Sequence, residues 1–191
     1  MKLNVLFISI LLLLGTSISF AQDDDDIEEL IWEEISSEQY NDAVLLESNP
    51  RATADRFNEL GLEITFDCFE ICESFLVEEE SGRSLFLPAD FDQGILDAVI
   101  SPAGNAFVVY SSYDGPEFDN YYDHRAEIHV FNVIGDRGLD AIQFSESFYI
   151  RDWSISNLAW FNDQNIYIKT YTESRSFDGQ SMDFKYYKLE L

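Results

Sequence analysis

The feature that most restricts the fold is a period of two in the apolar residues, which begins at Leu62 and continues to the end of the chain. Leu62, Ile64 and Phe66 alternate with polar residues, as in strands that bury one face. The predicted strand segments are 62–66, 75–77, 84–87, 98–100, 107–110, 128–133, 148–150, 158–161, 166–168 and 184–191. We therefore expect residues 62–191 to be antiparallel β-structure.

Turn residues separate these segments at short intervals. Glu80-Ser81-Gly82 lies between the second and third segments, and Ser101-Pro102-Ala103-Gly104-Asn105 lies between the fourth and fifth. Asn162-Asp163-Gln164-Asn165 separates two later ones. Glycine and asparagine tolerate the backbone angles that tight turns need, so each cluster predicts a hairpin.

Residues 22–61 have a helical pattern instead. Ile27, Leu30, Ile31 and Ile35 recur at intervals of three and four behind the acidic run 23–26, which predicts an amphipathic first helix. Ser36 and Gln39 have the spacing of a capping box that opens a second helix through Leu46. Pro50 and Gly61 bracket a third, because proline suits a first turn and glycine a helix end.

These patterns predict an α+β fold that is mainly antiparallel β. We expect a meander sheet or a small sandwich in residues 62–191, with the helices of residues 22–61 packed on one face as part of the same globular domain.

Residues 1–21 predict a cleavable signal peptide. Lys2 precedes a short apolar run over residues 5–14, and Ser19-Phe20-Ala21 has the small residues that signal peptidase requires. Spanning a bilayer takes about 20 apolar residues, so the run is too short for an anchor. We expect an exported protein, periplasmic or extracellular, with no membrane attachment after cleavage.

The charge of the chain restricts its partners. With 37 acidic and 11 basic residues, the formal net charge is −26. Such a field repels nucleic acid and anionic lipid, so neither is an expected partner. We interpret the charge first as favouring solubility. The more specific alternative is that it attracts a cationic partner.

Cys68 and Cys72 are the only cysteines, and an oxidising compartment favours their pairing. On one straight strand, residues four apart are separated by about 13 Å, too far for a disulfide. The bond therefore requires residues 69–71 to reverse the chain. We interpret the pair as a structural disulfide, since its spacing fits neither a zinc site nor a C-x-x-C redox motif.

Two stretches of the β-region are similar. Residues 98–110 and 158–171 each give an apolar strand, a turn and a second apolar strand, followed by outer strands that end at Val133 and Leu191. With Ser101, Pro102 and Gly104 in the first turn and Asp163 in the second, this resembles the blade repeat of WD-like periplasmic β-propellers. Ala103 stands where the repeat usually has aspartate, and serine, proline and glycine are missing from the second turn. The resemblance covers about two and a half units, too few for the four blades of about 40 residues that close a ring.

The most unusual segment runs from Tyr110 to Arg125 and combines aromatic rings with carboxylates and an amide. Its candidate ligand-binding residues are Tyr113, Asp114, Phe118, Asp119, Asn120, Tyr121, Tyr122 and Asp123. Such a set suits stacking on a sugar or a contact with a protein. The alternative is an ordinary hairpin whose aromatic rings fold back on the core.

Motifs for catalysis are missing: the sequence has no G-x-S-x-G, P-loop, G-x-G-x-x-G or H-E-x-x-H. We expect His124 in a loop and His129 in a strand with its ring hydrogen-bonded, and we predict no cofactor and no metal site. The favoured function is a non-enzymatic binding protein for an unknown protein or glycan, using the aromatic–acidic segment and a sheet edge. The alternatives are a small secreted hydrolase that uses Asp or Glu, and an acidic inhibitor of a cationic secreted enzyme.

Overall fold

The computed structural model describes residues 32–47, 50–68, 72–88, 97–116, 122–176 and 179–191. These ranges contain two α-helices and eleven strands. The elements are β1 (Trp32–Glu34), α1 (Ser37–Glu47), α2 (Pro50–Leu60), β2 (Leu62–Cys68), β3 (Cys72–Glu78), β4 (Ser84–Leu87), β5 (Asp97–Ile100), β6 (Ala106–Pro116), β7 (Tyr122–Val133), β8 (Ile142–Ile150), β9 (Ser154–Asn162), β10 (Asn165–Ser176) and β11 (Gly179–Glu190). A 3-10 turn, Leu139–Ala141, precedes β8.

The strands form three antiparallel sheets. Sheet I has the order β2-β3-β4, sheet II the order β5-β6-β7-β8, and sheet III the order β1-β11-β10-β9. The predicted class, α+β with mainly antiparallel strands, is confirmed. The strands divide into three sheets instead of one meander or a two-sheet sandwich, because β8 pairs with β7 and β9 with β10, not with each other.

One face of sheet II packs against sheet I and α2. Phe107 and Phe131 are stacked in neighbouring strands with ring centroids 4.9 Å apart, and Phe57 of α2 meets Phe107 edge-on. Leu62 and Leu76 of sheet I complete the same buried cluster. The alternation predicted from Leu62 onward supplies these side chains, because every second residue points to this face.

The other face of sheet II meets sheet III. Strands β6 and β7 contact β9, whose Trp160 is buried and donates from its indole N–H to the carbonyl oxygen of Val99 at 3.0 Å. The two similar turns also touch, since the backbone N–H of Ala103 donates to Asp163 Oδ1 at 2.8 Å. Sheet II is thus the central layer.

Two of the predicted helices are confirmed, together with the residues that were predicted to begin or end them. Before α1, the Ser36 N–H donates to Gln39 Oε1 at 2.9 Å, and the Gln39 N–H donates to Ser36 Oγ at 3.2 Å, which completes the capping box. Helix α2 begins at Pro50 and ends at Leu60. Gly61 follows with a φ of 68°, a conformation that glycine adopts without strain.

The predicted first helix is wrong at its C-terminal end. Trp32–Glu34 is a strand whose residues pair with Leu189, Lys188 and Tyr187 of β11. The Trp32 ring packs edge-on against Trp153 and Phe148, with centroids 5.5 and 6.1 Å away. Pairing with the edge of sheet III and burial of this ring outweigh a local helical preference. The rest of that predicted helix, and the predicted signal peptide, lie outside the described residues.

Candidate functional site

Strand β8 is an edge strand of sheet II and carries two exposed aromatic side chains on one face. Phe144 is 52% exposed and Tyr149 is 61% exposed. In the ladder with β7, Phe144 lies opposite Phe131, Ser147 opposite His129, and Tyr149 opposite Glu127. Opposed residues of an antiparallel pair share a face, so Phe144 and Tyr149 flank Ser147 on the face that also carries His129 and Glu127.

A hydrogen-bonded chain of three side chains lies beneath this face. His129 Nδ1 is 2.7 Å from Ser147 Oγ, and His129 Nε2 is 3.0 Å from Glu127 Oε2. The histidine is 1% exposed and the glutamate 2% exposed, while Ser147 is partly exposed. The prediction that His129 is a strand residue with a hydrogen-bonded ring is confirmed.

The direction of these hydrogen bonds depends on the tautomer of His129. With an ionised Glu127 and a neutral His129, Nε2 donates its proton to the carboxylate, because an ionised carboxylate accepts hydrogen bonds and donates none. In the neutral imidazole, Nδ1 is then an acceptor, and the hydroxyl of Ser147 donates to it. The serine proton therefore points at the basic nitrogen of a histidine that a buried carboxylate orients.

Two further hydroxyl groups are buried between sheets I and II. Ser111 lies opposite Glu127 in the β6–β7 ladder, and Ser74 lies in β3. In the described part of the chain, neither Oγ has a hydrogen-bond partner. The Ser111–Glu127 position of the β6–β7 ladder is therefore more polar than the Phe107–Phe131 position of the same ladder.

The second histidine is also in a strand. We predicted His124 in a loop, but it lies in β7, is buried, and has Nδ1 2.9 Å from Ser154 Oγ of β9. Its ring meets Tyr171 of β10 edge-on, with centroids 5.9 Å apart. The prediction is wrong because β7 starts at Tyr122, so that His124 faces sheet III within the ladder. Ser154 is fully buried, so this pair is closed to solvent.

The predicted aromatic–acidic segment belongs to the β6–β7 hairpin. The ladder continues through Tyr113 opposite Arg125 and Asp114 opposite His124, and ends with Pro116 opposite Tyr122. The side chains of Tyr113, Asp114, Tyr122 and Asp123 lie outside the described residues, and so do the residues from Phe118 through Asp119 and Asn120 to Tyr121. Their role in binding stays a prediction. The described ladder residues 113–116 and 122–125 lie beyond Ala126, which pairs with Ile150, at the same end of sheet II as Tyr149.

Cys68 and Cys72 lie opposite each other at the ends of β2 and β3. Opposed residues in an antiparallel pair have Cα atoms about 4.5–5.5 Å apart, within the range that a disulfide spans. The strand pairing thus has the chain reversal that the predicted disulfide requires. The two side chains lie outside the described residues, so the bond itself stays a prediction.

An ion-pair cluster joins sheet I to the segment before β8. Arg83 Nε is 2.9 Å from Glu78 Oε2, and its Nη1 is 3.0 Å from Asp140 Oδ1. Ser81 Oγ also donates to Glu78. The hydrogen bonds from Arg83, and then from Ser81, lower the pKa of Glu78 to about 2 from 4.5.

This shift predicts a loss of stability in acid. Because the folded pKa of Glu78 lies below its unfolded value, the contribution is complete above pH 4.5 and is lost as the pH falls towards about 2. Chemical denaturation at several pH values should show a steeper decline in this window for the native chain than for Glu78→Gln. Glu80→Gln is the matched control, since Glu80 is 3.4 Å from Arg137 with both side chains exposed. Equal pH profiles for Glu78→Gln and the native chain would contradict the assignment.

The described residues form neither a metal-ion cluster nor a membrane-spanning helix. No group of three or more His, Cys, Asp or Glu side chains there is placed to hold a metal ion. No helix there has both the length and the apolar character that crossing a bilayer requires.

Comparison with known proteins identifies no relative. The chain matches no protein-family model. It also matches no curated protein and no solved structure. The resemblance to propeller blades therefore stays a prediction, and the candidate site depends on geometry alone.

Sequence reasoning missed the Glu127–His129–Ser147 chain. His129 lies in the predicted strand 128–133, but Glu127 precedes that segment, and only the longer β7 of the structure places both residues on one face. Ser147 had no sequence signal, because its position opposite His129 depends on the register of β8, which includes a bulge between Val130 and Phe131.

Proposed function

We propose that this is an exported binding protein that captures a basic segment of a partner protein through β8 and the adjoining β6–β7 hairpin. The observation that carries the proposal is the edge of sheet II. Strand β8 is nine residues long, pairs on one side only in the described part of the chain, and contains neither lysine nor proline.

Edge strands are normally protected against pairing with a strand of another chain. An unpaired row of N–H and C=O groups invites another strand, and soluble proteins block it with lysine, proline or a short strand. A bulge at Ser145 is the one protection of this kind that β8 carries besides Glu146, its only charged residue. A long edge with exposed Phe144 and Tyr149 is the kind of surface to which an extended peptide adds by main-chain pairing.

The packing positions of the two helices support the proposal. Helix α1 contacts β9, β10 and β11, and α2 contacts β2 and β5. In this proposal the helices stabilise the sheets away from β8 and leave the edge accessible.

Charge supports a basic partner. The chain has a net charge of −26, and the hairpin beyond β8 contributes Asp114, Asp119 and Asp123. Complementary charge accelerates association and weakens with salt. An acidic inhibitor of a cationic secreted enzyme is a specific form of this proposal, and a glycan stacked on the hairpin tyrosines is the alternative occupant.

Affinity capture from the native culture medium and periplasm, with matched variants, tests the proposal. The double variant Phe144→Ala/Tyr149→Ala should lose a basic protein that the native chain retains at low ionic strength and releases at high ionic strength. Phe86→Ala is the control, because Phe86 is similarly exposed but lies in sheet I.

The hairpin variant Tyr121→Ala/Tyr122→Ala separates the two parts of the surface. A protein lost with both double variants engages the edge and the hairpin together. Proteins captured equally by all four chains would overturn the proposal, and retention of a glycan alone would favour the alternative.

A further inference from the structure

We infer that Ser147 is an activated nucleophile that reacts with carboxylic esters presented to the β8 face. His129 is its general base, and Glu127 is the positioning residue that holds the imidazole. This goes beyond partner binding and does not depend on it.

The geometry is that of a nucleophile, a base and an orienting acid. The Ser147–His129 distance of 2.7 Å and the His129–Glu127 distance of 3.0 Å both lie within hydrogen-bond reach. In the tautomer that carries its proton on Nε2, towards Glu127, Nδ1 receives the serine proton. Such a constellation is recognised by the roles of its members and not by their order in the sequence.

The base and its positioning residue are buried, whereas the nucleophile is partly exposed, as the reaction requires. His129 and Glu127 are almost fully buried, which strengthens their interaction by excluding water. Ser147 is partly exposed on an edge strand, and in this proposal the substrate approaches its Oγ from this side. The His124–Ser154 pair has a similar contact, at 2.9 Å, but its serine is closed to solvent. Of these two pairs, only the one at Ser147 combines a histidine contact with access.

The flanking residues indicate the class of substrate. Phe144 and Tyr149 present apolar rings on either side of Ser147, and the Tyr149 ring meets the His129 ring with centroids 5.9 Å apart. An ester with an apolar or aromatic acyl group fits between such rings. An edge strand also leaves backbone N–H groups unpaired, and such donors stabilise an oxyanion.

The reaction balances with the groups present and water. Ser147 Oγ attacks the carbonyl carbon, and its proton passes to His129 Nδ1. The ester C–O bond then breaks, and the leaving alcohol takes that proton. Water attacks the acyl-serine in the second half, giving up a proton to His129, which returns it to Ser147 Oγ as the acid departs.

Labelling of the full chain with a dialkyl fluorophosphate tests the inference, because Ser147 Oγ would displace fluoride and retain the phosphoryl group. We expect one adduct per chain, mapped to Ser147, and no adduct in Ser147→Ala. Ser145→Ala is the matched control, since Ser145 is an exposed serine of the same strand and should not affect labelling. Within the native chain, Ser147 should react at least about 100-fold faster than Ser145, as a general base contributes.

Glu127→Gln tests the positioning role. A glutamine can donate to Nε2 and so favour the tautomer in which Nδ1 carries the proton, which removes the base from Ser147. The limiting rate of labelling should fall about 100-fold or more while the half-saturating reagent concentration stays the same. Circular dichroism and thermal melting establish that the variant folds.

Comparable reaction of Ser147 and Ser145 in the native chain would overturn the inference, and this comparison needs no variant. An unchanged labelling rate in folded Glu127→Gln would overturn it equally, since the network would then be structural.

Discussion

Replacing Phe107 with alanine is expected to lower the free energy of unfolding by about 3–5 kcal/mol. Phe107 is fully buried, stacks on Phe131 with ring centroids 4.9 Å apart, and meets Phe57 of α2 edge-on at 5.1 Å. Its removal opens a cavity where sheet I, sheet II and α2 meet. Denaturant unfolding measures the change, and thermal unfolding should shift by roughly 10 °C for a chain of this size.

Phe107→Leu is the matched control for this prediction. Leucine keeps most of the apolar volume and loses the ring contacts, so it should cost less than half as much as alanine. Phe66→Ala should cost little, because Phe66 is exposed. A change below about 1 kcal/mol for Phe107→Ala would show that sheets I and II do not share this core.

Trp160→Ala should have an effect of similar size, about 3–5 kcal/mol. Trp160 is 1% exposed in β9 and donates from its indole N–H to the Val99 carbonyl oxygen at 3.0 Å. It therefore combines buried apolar area with a hydrogen bond between sheets II and III. Equilibrium unfolding followed by far-ultraviolet circular dichroism gives the free energy.

Trp160→Phe distinguishes the two contributions. Phenylalanine retains most of the buried ring and removes the N–H donor, so we expect a loss of about 1–3 kcal/mol, intermediate between the native chain and the alanine variant. Equal losses in the two variants would indicate that the hydrogen bond, and not the buried ring, joins sheets II and III.

The local parts of the structure were predictable. The capping box at Ser36 and Gln39, the helix between Pro50 and Gly61, and the hairpin turn at Gly82 all occur where the sequence places them. Each depends on interactions within a few residues, or on a backbone angle that one residue type adopts most easily. Gly82 and Gly104 have positive φ angles of 68° and 70°, as their turns require.

Elements that depend on distant partners were not predictable from the sequence. The strand at Trp32 exists because β11 offers it an edge and because Trp153 and Phe148 pack against its ring. The length of β7, and with it the burial of His124, depends on pairing with β6 as far as Pro116. The periodicity of a single segment cannot show the strand at Trp32 or the length of β7, since the partner strand determines where pairing ends.

The sequence by itself determined that the chain beyond Leu62 forms antiparallel strands, because alternation is a local property of strands. The expectation of one buried side fails for β6, whose consecutive residues Phe107, Val108 and Val109 are all buried. Only the tertiary structure decided that the strands divide into three sheets and that Ser147 lies against His129. The reason is physical: strand register and the packing of sheet on sheet are set by contacts between residues far apart in the chain, and these carry no periodic signal in either segment alone.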